Sequence, residues 1–299
     1  MSEQEEKSDF EKRREEFRVA TCWEKASSVV WRECFGHPYY QHYTTLDRVV
    51  SKIVNQEWWL TRSDSVRLND KQETEKFGKI ELAKRTYQAS FVQGVRESAA
   101  MWGLYAREDP LAIRILIPRD AMKKWIGSLK LADDPKKCGN VQLTAANPAE
   151  FKDVIYASVP LVNHKRDSLD KQRGNCVYWA GMRNDFGKNK DIQKSFLEGL
   201  HIDAVTGWLK DSEWQHECES RLCVRIRKTS GRTALPVCLP AGVIAKMSFT
   251  LSPWLDKEHE GEVENVLKAL LEQNAKGLEC KSNSKPFRRS TLQGALNFK

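Results

Sequence analysis

Residues 39–61 read YYQHYTTLDRVVSKIVNQEWWLT, and two periodicities meet in this stretch. Tyr39 to Tyr43 is short and aromatic and follows a turn at Gly36-His37-Pro38, the composition of a strand. Thr44 or Thr45 then offers a hydroxyl where a helix needs its N-cap. Leu46, Val49, Val50, Ile53 and Val54 recur at helical spacing, so a helix is expected from Leu46 to about Gln56. Trp58-Trp59-Leu60-Thr61 resumes as a strand. The unit is strand, helix, strand.

Outward from it, Arg62 to Asn69-Asp70 is a polar loop ending in an Asx-type turn, and a helix is expected across 71–84. Strands are expected at 86–92, at Leu111–Ile117, near 152–158 around Val154-Ile155-Tyr156, and at 214–228. Helices are expected at 3–18, 22–35, Glu97–Ala106, from Asp120 to Ile126, at 188–202 and at Val263–Gln273, whose stripe is Val263, Val266, Leu267, Leu270 and Leu271. Residues 129–150 read as loop. Strands and helices mix without a βαβ rhythm, which predicts an α+β fold.

The 299 residues can bury a large core, and no apolar run approaches the roughly 18 residues a membrane span needs. The charged start MSEQEEKSDFEKRREEF does not resemble a signal peptide, so a cytoplasmic protein without membrane contact is expected. Eight scattered cysteines form no C-x-x-C pair, and the pattern favours reduced thiols over disulfides. No ligand spacing points to a metal. The net charge of +8 favours polyanions or a phosphate-bearing cofactor. Residues 281–299 carry Lys281, Lys285, Arg288, Arg289 and Lys299 without an acid and read as a basic tail. P-loop, dinucleotide-fold and nucleophile-elbow glycine motifs do not occur.

The chemistry-bearing stretch is Glu213–Arg227, EWQHECESRLCVRIR. On a continuous strand, alternation places Glu217 and Glu219 on one face with Arg221, two residues of rise apart. Two such carboxylates can divide labour, one stabilising a cationic centre and one activating a nucleophile. The simpler reading is a solvent-facing charge ladder. His42, Ser90, Trp102 and Tyr105 each read singly as structural; Trp102 and Tyr105, three apart on a helix, read first as core.

Taken in order, six motifs resemble an uncharacterised bacterial family, a domain of unknown function. They are Tyr40-Gln41-His42-Tyr43-Thr44, Leu68-Asn69-Asp70-Lys71-Gln72-Glu73, Ser90-Phe91, Met101-Trp102-Gly103-Leu104-Tyr105, Val154-Ile155-Tyr156 and Trp214 through Arg221. The resemblance covers roughly 39–290. Lys71 stands where that family commonly has proline, and Ala106–Pro110 replaces its usual H-x-G. That family in turn is similar to ADP-ribosyltransferase-fold toxins, including DNA-targeting ones. The resemblance implies a split, strongly bent mixed β-sheet flanked by helices over 39–280, with an N-terminal helical extension over 1–38 and the tail over 281–299. It implies NAD as substrate, with His42 and Thr44 at the adenosine-side ribose and Tyr43 also among the NAD-binding residues. Ser90 with Trp102 or Tyr105 would line the nicotinamide pocket, Glu219 would grip the ribose and Glu217 would orient or activate the acceptor. A nucleic-acid or protein acceptor, a toxin or phage-defence role and an antitoxin or other regulatory partner are further expectations. A non-enzymatic nucleic-acid-binding module and a NAD glycohydrolase are the alternatives.

Overall fold

Alternation along the first strand separates two environments. In β1 (Tyr39–Thr45), Tyr40 and His42 meet the aromatic core of Trp58, Phe91 and Phe151, while Tyr43 packs on Trp102 on the other face. The structure, a computed structural model, describes residues 37–65, 83–107, 109–144, 149–157, 209–274 and 286–296. The helices expected at 3–18, 22–35 and 188–202, nearly all of that at 71–84, and the Asn69-Asp70 turn lie outside the described residues.

Helix α1 (Leu46–Asn55) follows β1 and closes on Gln56 in the left-handed region at φ 52°. Thr45 stands at the N-cap, but its hydroxyl bonds the Asp47 carboxylate and no side-chain cap bond forms. Only Val49 and Ile53 of the expected stripe are fully buried, and Val54 is exposed. Then come β2 (Glu57–Arg62), β3 (Thr86–Gln93), and a turn of helix α2 (Ala99–Met101) that runs into a π-helical turn at Trp102–Ala106. Strand β4 (Ala112–Pro118) leads into α3 (Arg119–Gly127). The stretch expected to be loop holds the short helix α4 (Pro135–Cys138) and the start of β5 (Ala149–Asp153).

Strands β6 (Ile155–Ala157) and β7 (Leu209–Asp211) pair in parallel as a separate ribbon. The expected strand at 214–228 is corrected. Ser212–Glu217 is a 3-10 helix, Cys218 turns the chain at φ 44°, and β8 runs only over Glu219–Arg225. The remaining elements are β9 (Ala234–Cys238), α5 (Ala241–Ile244), β10 (Ser248–Leu251), α6 (Lys257–Asn274) and β11 (Phe287–Arg288).

The strands other than β6 and β7 form one open, mixed sheet, antiparallel except where β11 joins β10. Its order is β11-β10-β4-β1-β3-β2-β9, with β8 on the other edge of β3 and β5 beyond β8. Strand β3 therefore has a shared edge. Its end pairs with β1 (Tyr40 opposite Gln93, Gln41 opposite Val92) and its beginning with β2 (Thr61 opposite Gln88, Arg62 opposite Tyr87). The sheet forks between these two registers, at Ala89–Phe91. The architecture is α+β, as expected.

Helices α1, α3, α5 and α6 cover one face of the sheet. A smaller cluster on the other face joins Tyr43, Val92, Met101, Trp102, Ala106 and Ala112, with Leu292 and Leu296 packed against it. Within the segment expected to be a basic tail, Phe287 is buried in the main core and Leu292 and Leu296 pack against the smaller cluster. Phe151 is fully buried between Tyr40, at 4.9 Å, and Phe91, at 6.0 Å. Its replacement by alanine should cost about 3–5 kcal/mol, read as a lower urea midpoint with an unaltered slope.

Candidate active site

A recess opens at the fork. Gln41, His42 and Tyr43 of β1 and Ser90, Phe91 and Val92 of β3 line it, with Met101 and Tyr105 from the helical turns and Glu217 and Glu219 from the run into β8. It holds about 50 Å³ of enclosed space within roughly 360 Å³ that extends out to solvent. The smaller figure is well below the roughly 300–1,000 Å³ typical of small-molecule sites, so the recess is a small one. The enclosed part takes only a few water-sized groups, since one water needs roughly 10–15 Å³.

His42 is set by the fork. At Ser90, β3 lies between its pairing with β2 and its pairing with β1, so the Ser90 carbonyl needs another donor. The His42 ring supplies it, with Nδ1 at 3.1 Å. A carbonyl only accepts, so Nδ1 carries the proton and Nε2 keeps a lone pair. Burial, then the Lys52 and Arg48 charges, push His42 down to about 3 against the Ser90 bond, and the ring is neutral at ordinary pH.

The two glutamates reach the recess by different routes. Glu219 opens β8 opposite Val92, and Glu217 ends the 3-10 helix. They approach one another because Cys218 adopts a left-handed turn, not because a strand alternates. Neither is a solvent-facing rung: Glu217 is 1% and Glu219 3% exposed, so the charge-ladder reading fails. Arg221 donates from Nε to Glu219 Oε1 at 2.7 Å and from Nη2 to Oε2 at 2.9 Å, a bidentate pair. Lys210 Nζ lies 2.5 Å from Glu217 Oε2 and 3.6 Å from Glu219 Oε2. Burial opposes ionisation of Glu219; the Arg221 and Lys210 charges and hydrogen bonds from Arg221 and Ser90 outweigh it, holding the carboxyl at about 2. The Tyr105 hydroxyl donates to Glu217 Oε1 at 2.8 Å.

Of the residues expected at the site, His42, Tyr43, Ser90, Tyr105, Glu217 and Glu219 all line the recess. Trp102 does not. It is fully buried against Tyr43 and Trp254, and its Nε1 donates to Glu97. The π-helical turn separates its direction from that of Tyr105, and such turns recur at functional sites. Thr44 is buried outside the recess lining, and its hydroxyl has no hydrogen-bond partner among the described residues.

Lys210 escaped sequence reasoning because it is one basic residue in a chain rich in them, with nothing local to mark it. Its ammonium also lies 4.6 Å from the centre of the Trp214 ring. Among the described residues, no group of three or more histidine, cysteine, aspartate or glutamate side chains could hold a metal. No described helix is long and apolar enough to cross a membrane.

No family model, curated protein or solved structure matches this chain.

Two outcomes follow from the charges. His42→Leu leaves the Ser90 carbonyl without its donor and should cost about 1–3 kcal/mol. In the parent protein the unfolded His42 takes a proton near 6.5 that the folded ring refuses down to about 3, which destabilises the fold as pH falls through that window. Urea titrations from pH 7.5 to 4 should show this component only in the parent. For Glu219 the folded value lies below the ordinary 4.5, so its stabilisation is present above 4.5 and fades as pH falls toward about 2. Glu219→Gln, which leaves Arg221 and Lys210 under-compensated, should cost about 3–5 kcal/mol at pH 7 and much less at pH 3.

Proposed function

We propose that the chain is an ADP-ribosyltransferase that takes NAD as substrate and transfers its ADP-ribose to a nucleic acid or protein acceptor. The observation that carries the reading is convergence. His42, Ser90 and Glu219 come from three strands distant in sequence and line one recess, together with Tyr43, Tyr105 and Glu217. The open sheet that forks at β3 is compatible with the split sheet of that fold. A toxin or defence role belongs to the same reading, with the net charge of +8 suited to a polyanionic acceptor.

The chemistry suits these groups. Loss of nicotinamide leaves positive charge spread over C1′ and the ring oxygen of the ribose. Glu219 is an anion at every working pH, fixed before the charge develops, so it stabilises that state without reorganising. Arg221 holds both oxygens of Glu219 in a bidentate pair, and Lys210 adds a second positive charge at 3.6 Å, so the carboxylate is fixed at the recess wall. His42 lines the recess as a neutral ring.

The test is incubation of the full chain with labelled NAD and cell extract. Nicotinamide should be released and a macromolecule labelled, and Glu219→Gln should lower turnover by about a hundredfold or more. NAD loss without labelled acceptor would make the protein a glycohydrolase. Salt-sensitive RNA or DNA binding with no NAD loss would make it a binding module and end the transferase reading.

A further inference from the structure

Both oxygens of Glu217 are engaged inside the protein. Oε1 accepts the Tyr105 hydroxyl at 2.8 Å and Oε2 holds the Lys210 ammonium at 2.5 Å. The residue is 1% exposed. Tyr105 is half-buried, lines the same recess, and is carried by the π-helical turn. Glu217 therefore addresses the recess with a phenol hydrogen-bonded to its oxygen. Lys210 stands between the two carboxylates, close enough to Glu219 to keep a counter-charge if Glu217 is neutralised.

We infer that Tyr105 is the group that takes the proton from a neutral hydroxyl acceptor, and that Glu217 is the terminal proton acceptor behind it. The inference rests on the transferase reading and specifies the acceptor class: an O–H nucleophile that needs a base. As the acceptor oxygen bonds to C1′, the bond from C1′ to the nicotinamide nitrogen breaks and both its electrons leave with nicotinamide. The acceptor proton passes to Tyr105 Oη, and the proton that Tyr105 held passes to Glu217 Oε1. Tyr105 ends the step neutral, as it began. Glu217 ends it neutral, with Lys210 paired to Glu219. The proton that NAD cleavage liberates thus rests on Glu217 until it leaves to water.

The relay separates Tyr105 from a residue that only shapes the wall. Wild type, Tyr105→Phe, Glu217→Gln and the double variant are compared for nicotinamide release from NAD in the presence of cell extract, each after circular dichroism confirms the fold. Each single variant should lose about a hundredfold or more in kcat, with KM for NAD within about threefold, because a general base acts on the chemical step. The double variant should be about as slow as the slower single, since groups acting as one unit are not additive. A Tyr105→Phe variant that retains more than about a third of turnover while Glu217→Gln is inactive would show Glu217 meeting the acceptor itself, and would overturn the relay alone. Losses that multiply in the double variant would also overturn it. A wild-type chain that releases no nicotinamide removes the transferase reading and the relay with it.

Discussion

The arrangement of the site hangs on a change of partner along one strand. Strand β3 cannot pair with β1 and β2 over the same residues, and at Ser90 it pairs with neither. The carbonyl exposed there must be satisfied, because an unpaired buried backbone acceptor costs about as much as a lost hydrogen bond. A side chain does this where a strand cannot: His42 Nδ1 donates to it. The consequence is steric as well as energetic. Strands β1 and β2 diverge beyond the fork, α1 connects them across the gap, and a recess opens where a continuous sheet would have been filled. The helix between these strands and the cavity beside them have one cause.

Charge burial at the recess obeys a second constraint. Four ionised side chains, Lys210, Glu217, Glu219 and Arg221, are each under 5% exposed and sum to zero. Isolated, any one would be prohibitive; the pairings make the set tolerable without making it a source of stability. A hydrophobic replacement of similar volume would serve folding as well. The set therefore points to a use other than folding, and its placement against a recess is where a perturbed carboxylate such as Glu219 has functional weight. Arg221 and Glu219 meet because residues two apart on a strand share a face. Lys210 arrives from the β6–β7 ribbon, so the glutamates depend on an element outside the main sheet.

What could be read from the sequence follows the range of the interactions involved. The β1–α1–β2 unit, β3, β4, α3 and α6 were legible because each carries its own periodicity. The strands β9 and β10, short and holding a proline or polar residues, have no such signal and exist through pairing with β2 and β4. Alternation misread 214–217 as strand, since nothing in EWQHE announces a 3-10 helix and a left-handed cysteine. The glutamates were nonetheless picked out, by motif order and not by geometry. Arg114 illustrates the opposite loss. In AIRILIP it reads as an intruder in an apolar strand, yet Ala112, Arg114 and Leu116 face away from the main core, and the guanidinium binds Thr250, Gln41 and the Val95 carbonyl.

That arginine belongs to a network that ties the Tyr105 turn to the end of the chain. Glu97 Oε2 accepts from the Trp102 indole at 3.1 Å and from the Ser290 hydroxyl at 2.5 Å, and Oε1 from the Thr291 amide at 2.8 Å. Arg114 lies 3.8 Å from the same carboxylate. Leu292 and Leu296 then pack against the cluster that contains Trp102, with Tyr105 also on its margin. A π-helical turn has weaker backbone support than an α-helix of the same length, so its orientation must come from such tertiary contacts. Residues 286–296 thus act on the recess without touching it: they hold Trp102, Trp102 fixes the turn, and the turn presents Tyr105 to Glu217. The segment that reads as a basic tail is in this sense a support for the turn that carries Tyr105.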